Sequence, residues 1–191
     1  MFPKLLLATG NAHKLEEFKS FLGDMAAEYV TLKDLSLPEP DETGTTYIEN
    51  ARLKAVAAMQ ASGLPALADD SGFAVEALEG APGIYSARWA GSNKDFSVAM
   101  KRVHDEMGHE VNRGAAFICA LVLALPDGKL IEVQERATGE ITWPPRGEHG
   151  FGYDPMFIPQ GYTQSFAEIP AEVKNKISHR ALAFRALKEK L

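Results

Sequence analysis

Disulfide bonds, membrane helices and a nucleic-acid-binding surface each need features that this sequence largely lacks. Its 191 residues include one cysteine, Cys119, so no intrachain disulfide can form and we expect a reducing, cytoplasmic setting. No stretch approaches the roughly 18 apolar residues of a membrane-spanning helix, and the three leucines near the N-terminus are too few for a signal peptide. The net charge of −6 argues against a nucleic-acid scaffold, which usually carries a basic surface. A small anionic ligand stays compatible with this charge where basic residues converge.

The composition is ordinary for a globular protein, with 46% hydrophobic and 24% charged residues. The length suits a single domain over residues 1–191. Apolar periodicity and turn residues predict alternating helices and strands. The predicted helices are 11–23, 46–63, 93–107 and 176–191; the predicted strands are 4–9, 27–32, two short strands around an acidic turn at 69–72, a hairpin with a two-residue turn at Asp127-Gly128, and one strand after residue 150. This mixture predicts an α/β fold with a mixed sheet.

The stretch ATGNAHK lies where the first predicted strand meets the first predicted helix. Free backbone N–H groups at a helix N-terminus attract anions. Lys14 adds a positive charge, while Thr9 and Asn11 offer hydrogen bonds, so the junction is a candidate phosphate site. The motif taken alone favours the alternative, an asparagine N-cap beside a solvated lysine.

Carboxylates cluster at the ends of predicted elements, with Asp41 and Glu42 in a loop and Asp69 and Asp70 just before Ser71. Their oxygens suit Mg²⁺, which prefers a few carboxylates together with water and substrate phosphates. Adjacent residues of an extended chain point to opposite sides, so we expect one of the two aspartates to face the ligand and the other to anchor the turn. The alternative is an Asx-turn with one solvated neighbour.

The stretch GFGYD places Phe151 between two glycines. Small neighbours leave the face of an aromatic ring free to stack on a flat ligand, and Asp154 can accept a hydrogen bond from a ring N–H. A tight turn with aromatic residues in the core explains the same stretch equally well.

Basic residues accumulate in KNKISHR, where Lys174, His179 and Arg180 lie near a predicted helix. A positive charge at a helix N-terminus opposes the helix dipole, so this placement favours a bound anion over a simple charged helix end. Arginine can also grip a phosphate or a carbonyl edge with its planar fork. Taken together, the four stretches predict binding of a nucleoside triphosphate with Mg²⁺.

Five motifs follow one another in order between residues 9 and 180: TGNAHKLEEF, ETGTTYIENARLKA, ALADDSGFAVEALEGAPGIYSARWAG, GFGYDPMF and KNKISHR. They resemble the inosine triphosphate pyrophosphatases, the Ham1-like enzymes that act on non-canonical purine nucleoside triphosphates. The resemblance implies a two-lobed α/β fold with an elongated mixed β-sheet flanked by helices and an active-site cleft between the lobes. It also implies a homodimer that requires Mg²⁺ and hydrolyses ITP, dITP and XTP to the monophosphate and pyrophosphate.

The resemblance further implies roles for single residues. Asp70 is the general base and a metal ligand, and the second metal carboxylate is Asp41 or Glu42, with Glu39 of the same loop as a further candidate. The implied triphosphate-binding residues are Thr9, Gly10, Asn11, Ala12, His13 and Lys14. The residues implied to contact the nucleotide and read its base are Ser71, Phe151, Gly152, Tyr153, Asp154, Lys174, His179 and Arg180.

Two other classes of function are compatible with a nucleotide site. One is a Maf-like pyrophosphatase acting on dTTP, UTP or modified pyrimidine nucleotides, which we expect to lack SHR at this position. The other is a non-catalytic nucleotide-binding module, which tolerates loss of the acidic pair that is present here.

Overall fold

The computed structural model describes residues 1–191, apart from the side chains of Ala12 and His13. In chain order the elements are β1 (Phe2–Leu7), α1 (Ala12–Leu22), β2 (Ala26–Thr31), α2 (Tyr47–Ser62), β3 (Ala66–Val75), β4 (Pro82–Gly83), α3 (Ser86–Trp89), α4 (Phe96–Met107), β5 (Gly114–Ala124), β6 (Leu130–Ile141), β7 (Phe157–Pro159), α5 (Ala171–Ile177) and α6 (His179–Glu189). Among the described residues, no helix is long and apolar enough to cross a membrane.

A mixed sheet joins the strands. In the described part of the chain it has seven strands, in the order β2-β1-β3-β5-β6-β7, with β4 paired to β3. β1 runs parallel to β2 and to β3, whereas β3 is antiparallel to β4 and β6 is antiparallel to β7. The predicted α/β fold with a mixed sheet is therefore confirmed.

The described residues divide into two compact units, each assembled from separated stretches of chain. The first unit is Met1–Asp70, Cys119–Glu135 and Ala183–Leu191, and the second unit is Ser71–Ile118 and Arg136–Leu182. The first unit has apolar clusters that include Leu5, Phe18 and Phe184, whereas Phe73, Phe117 and Phe157 belong to the cluster of the second unit.

Helix α2 follows its sequence signals closely. Thr46 accepts a hydrogen bond from the N–H of Glu49, and the Glu49 carboxylate accepts from the N–H of Thr46, which completes the predicted capping box. Gly63 ends the helix in the left-handed conformation, with φ of 70°. The buried face carries two polar side chains, Asn50 and Lys54, among its alanines.

Two predicted boundaries are wrong. β3 is one continuous strand, so Asp69 and Asp70 lie within a strand and not in a turn between two strands. The predicted last helix is also interrupted, because Ser178 is extended and its hydroxyl accepts from the N–H of Ala181, which starts α6 anew. The hairpin forms as predicted, but Leu125 and Lys129 bond across three loop residues instead of two.

Gly72 explains why β3 can continue through such a polar stretch. A Cβ added at this position would overlap with the carbonyl oxygen of Gly83 and lie 2.9 Å from the hydroxyl oxygen of Ser86. The Ser86 hydroxyl accepts from the N–H of Phe73 at 2.8 Å and donates to the Gly83 carbonyl at 2.6 Å. The glycine that looked like a turn residue therefore permits close packing beside β3.

Candidate active site

Asp69 and Asp70 occupy consecutive positions of β3 and have different partners. The Asp69 carboxylate is fully buried and forms an ion pair with Lys14, with 2.8 Å between Oδ2 and Nζ. Asp70 is also buried, and its Oδ2 accepts a hydrogen bond from Nδ2 of Asn50 at 3.1 Å. Successive side chains of a strand point to opposite faces, and these two carboxylates contact different helices, α1 and α2.

Lys54 is the most buried cation of the first unit's site. Its ammonium lies 2.6 Å from Oε1 of Glu42, and only 3% of the side chain is exposed. Burial alone lowers the pKa of this lysine, but the negative charges of Asp69, Asp70 and Glu42 outweigh burial and raise it. Lys54 is therefore held in its charged form by three carboxylates.

The carboxyl group of Asp70 titrates close to neutrality. Burial raises its pKa from 3.8 to about 6, and the charge of Glu42 acts in the same direction. Lys54, Lys14 and the Asn50 amide act in the opposite direction and limit the rise. A carboxylate with such a pKa suits proton transfer near neutral pH.

The junction between β1 and α1 combines an N-cap with a bound carboxylate. Asn11 caps the helix by accepting from the N–H of Lys14 at 3.3 Å, and the Thr9 hydroxyl accepts from the N–H of Asn11 at 3.2 Å. The N–H of Gly10 donates to Oε1 of Glu39 at 3.3 Å, so an anionic oxygen already sits at this junction. The predicted N-cap is present, but Lys14 is paired with Asp69 and not solvated.

Ala12 and His13, the two remaining residues of the implied triphosphate site, have side chains that lie outside the described part of the structure. Their roles stay predictions. The backbone of both residues belongs to the first turn of α1.

The three candidate metal carboxylates have different surroundings. Glu42 pairs with Lys54 and raises the pKa of Asp70, Glu39 contacts the backbone of Gly10, and Asp41 is exposed. Among the described residues, no group of three or more histidine, cysteine, aspartate or glutamate side chains gathers to hold a metal ion. The pair of Asp70 and Glu42 fits Mg²⁺, because two mutually repelling carboxylates, one buried and one partly exposed, favour a divalent cation that completes its shell with water and phosphate oxygens.

In the second unit, Phe151 and Asp154 form a tight turn around Lys174. Oδ2 of Asp154 accepts from the N–H of Phe151 at 2.8 Å and from Nζ of Lys174 at 2.6 Å. The Lys174 ammonium lies 5.3 Å from the centre of the Phe151 ring. Gly150 and Gly152 have φ of 74° and 69°, a backbone conformation that L side chains rarely adopt.

Tyr153 differs from its neighbour Phe151 in being a core residue. Its ring stacks on Phe73 with 4.9 Å between centroids, and its hydroxyl donates to the carbonyl of Ser86 at 2.9 Å. The tight turn with an aromatic residue in the core describes Tyr153, whereas Phe151 is only partly buried and its stacking on a ligand stays a prediction.

The start of α6 places His179 and Arg180 in the second unit. The His179 ring stacks on Phe117 with 4.9 Å between centroids and 14° between planes. Nη2 of Arg180 donates to the hydroxyl of Ser71 at 3.0 Å, and the arginine is buried. A buried arginine and a buried histidine at a helix N-terminus supply hydrogen-bond donors for a carbonyl edge or an anion.

The sequence analysis did not single out Asn50 and Lys54. Their spacing of four residues places them on one helix face, and that spacing is the signal in the sequence. A face that combines Asn50 and Lys54 with buried alanines is a polar stripe inside the fold.

These features define a class of protein: an α/β fold with a buried acid–base cluster of the kind that enzymes use for proton transfer. The model of the Ham1 family matches residues 5–190, and the chain belongs to this family.

Named relatives and solved structures agree with this assignment. A dITP/XTP pyrophosphatase of Gluconobacter oxydans is 52% identical over 96% of this chain and 88% of its own length, and one of Rhodospirillum centenum is 53% identical over 96% and 92%. The structure of the Staphylococcus aureus Ham1 protein superposes with a TM-score of 0.90 at 35% identity, covering 98% of this chain and 97% of that one.

Proposed function

We propose that this chain hydrolyses the non-canonical purine nucleoside triphosphates ITP, dITP and XTP to the monophosphate and pyrophosphate. The dITP/XTP pyrophosphatase names of relatives that are about half identical over nearly the whole chain support the substrate class. The single observation that carries the chemistry is Asp70, a buried carboxylate whose pKa of about 6 suits a general base.

The reaction is an in-line attack of water on the α-phosphorus. Asp70 takes the proton from the attacking water, a bond forms between the water oxygen and the α-phosphorus, and the bond from the α-phosphorus to the bridging oxygen of pyrophosphate breaks. Asn50 holds one carboxylate oxygen of Asp70, so the base keeps its orientation during the transfer.

Positive charge for the phosphates comes from Lys14 and Lys54. Lys14 is held against Asp69 at 2.8 Å and follows directly on the N–H groups of the β1–α1 junction. Fixed cations and N–H groups offset the negative charge that develops on the leaving pyrophosphate. The contact of Gly10 with Glu39 supports an anion site here, because a carboxylate oxygen already accepts from this N–H.

Mg²⁺ is proposed as the cofactor, with Asp70 and Glu42 as the carboxylates that fit it best; Asp41 remains a predicted ligand. When bound, a divalent cation neutralises phosphate charge and orients the triphosphate. Burial is the main cause of the raised pKa of Asp70, and the negative charge of Glu42 adds to it; this repulsion supports the placement.

Selection of the substrate's purine base is assigned to the second unit. Hypoxanthine and xanthine carry a 6-oxo acceptor where adenine carries an amino donor, and Arg180 and His179 are the donors proposed to read it. A donor facing adenine would lose its partner, which costs about 1–3 kcal/mol. Phe151 is proposed to stack on the base. Guanine shares the 6-oxo group, so rejection of GTP depends on its 2-amino group.

We further propose a homodimer that acts in the cytoplasm, without a nucleic-acid or membrane partner. The dimer rests on the family resemblance, the acidic net charge supports the absence of a nucleic-acid partner, and the single buried cysteine supports the cytoplasmic setting. Light scattering on the purified chain measures the dimer directly.

One assay tests the proposed activity. The purified chain is incubated with Mg²⁺ and, separately, ITP, XTP, dATP, GTP or dTTP, and the products are separated. Monophosphate and pyrophosphate from ITP and XTP support the proposal. Diphosphate with phosphate, preferential cleavage of dTTP, or no turnover contradicts it.

A further inference from the structure

Tyr47, the first residue of α2, has a hydroxyl group that the fold encloses without pairing. The hydroxyl oxygen is buried and has no hydrogen-bond partner among the described residues, although the ring packs against an apolar cluster of the first unit. Buried polar atoms in native proteins are nearly always paired, so an unpaired one calls for an explanation. A water or ligand that binds during function supplies one.

The helix places this hydroxyl on the same side as the catalytic carboxylate. Tyr47, Asn50 and Lys54 are separated by three and four residues, so they share one face of α2. Asn50 on this face donates to Asp70, and Lys54 pairs with Glu42. The Tyr47 side chain therefore belongs to the group of residues that surrounds Asp70.

The pKa of Tyr47 agrees with this placement. Burial raises the pKa of the Tyr47 phenol, and the negative charge of Asp70 adds to the rise. The phenol consequently keeps its proton and acts as a hydrogen-bond donor.

We propose that Tyr47 is a catalytic residue that donates a hydrogen bond to the water that attacks the α-phosphorus. The inference rests on the hydrolysis proposed above and names a second group that holds its nucleophile. The water donates one hydrogen to Asp70 and accepts from Tyr47 with one lone pair, which leaves its other lone pair for the phosphorus. In the step, the water's proton passes to Asp70, the new P–O bond forms and pyrophosphate leaves, while Tyr47 stays protonated.

The Tyr47→Phe variant tests this role because it removes one oxygen and keeps the ring. We expect kcat for ITP to fall roughly five- to thirtyfold, the effect of one hydrogen bond to a reacting group, with KM within about twofold of the wild type. Tyr162→Phe, at an exposed tyrosine of the second unit, is the matched control and leaves both constants unchanged. The melting temperature of Tyr47→Phe is expected to equal or exceed that of the wild type, since the lost hydroxyl has no partner in the fold.

The outcomes separate this inference from the function on which it rests. If the wild type cleaves ITP and Tyr47→Phe keeps the same kcat, the role of Tyr47 is refuted while the activity stands. A rise in KM at unchanged kcat assigns the hydroxyl to a substrate phosphate and also refutes the role proposed here. If the wild type releases no pyrophosphate from ITP, the proposed function is wrong, and the role of Tyr47, which depends on it, is wrong as well.

Discussion

Nζ of Lys14 lies 2.8 Å from Oδ2 of Asp69, and the aspartate has no exposed side-chain surface. The ion pair ties the first turn of α1 to the middle of β3. It also fixes the position of a cation at the helix start that is proposed to bind the triphosphate. One side chain therefore serves both the fold and the substrate, and the two roles can be separated by mutation.

Lys14→Met is expected to destabilise the protein by about 3–5 kcal/mol, because it removes the cation that lies 2.8 Å from the buried negative charge of Asp69. Adding Asp69→Asn removes that charge and restores most of the stability. The double variant still lacks the cation, so its KM for ITP stays raised. Urea unfolding and steady-state kinetics measure the two effects; a double variant with wild-type KM contradicts the binding role.

Asp70→Asn is expected to lower kcat for ITP by roughly a hundred- to ten-thousandfold, the range for loss of a general base. The fold is retained, since an amide of equal size can still accept from Asn50. The matched control is Asp127→Asn in the exposed hairpin loop, whose side chain caps the N–H of Lys129 and keeps that bond as an amide. Wild-type activity in Asp70→Asn refutes the base assignment.

The stability of Asp70→Asn relative to the wild type is expected to change with pH. The pKa of Asp70 is raised from 3.8 to about 6, so the folded protein binds more protons than the unfolded chain between these values. This group therefore lowers wild-type stability as the pH rises through that window, and the loss persists above it. The variant has no such group and is expected to be more stable by on the order of 2 kcal/mol at about pH 7.5, with no difference at about pH 4. Denaturant unfolding at both pH values measures this, and a variant that is less stable at the higher pH contradicts it.

Arg180→Lys is expected to reduce discrimination between ITP and ATP by roughly tenfold, measured as the ratio of their kcat/KM values. Lysine keeps the charge but loses the planar fork, one arm of which donates to Ser71. Arg185→Lys, at an exposed position of the same helix, provides the comparison. An unchanged ratio in Arg180→Lys assigns base selection to other residues, with His179 as the next to test.

The sequence predicted helix α2 well because its signals are local. Thr46 and Glu49 form the capping box, and Gly63 supplies the left-handed end. The turn predicted at 69–72 is wrong because the contacts that decide its structure are not local. Asp, Ser and Gly are typical of turns, and the groups that allow them to stay in a strand, such as Lys14 and Ser86, are distant in sequence.

The candidate site shows the same division between local and distant information. Asp70 was assigned as the base from the family resemblance, but its pKa depends on burial, on Glu42, which raises it, and on Lys54, which lowers it, and these residues belong to other parts of the chain. Asn50 and Lys54 were missed because polar residues on a helix are usually exposed.

Helix α2 also fixes the spacing of three side chains of the site. Because Tyr47, Asn50 and Lys54 are spaced along one rigid helix, inserting a single residue after Tyr47 would rotate one part of this face relative to the rest by about 100°. The preceding loop is tied to the same face, because Glu42 pairs with Lys54 and the N–H of Gly44 donates to Oδ1 of Asn50 at 2.8 Å. Insertions and deletions between Glu42 and the second turn of α2 should therefore abolish activity.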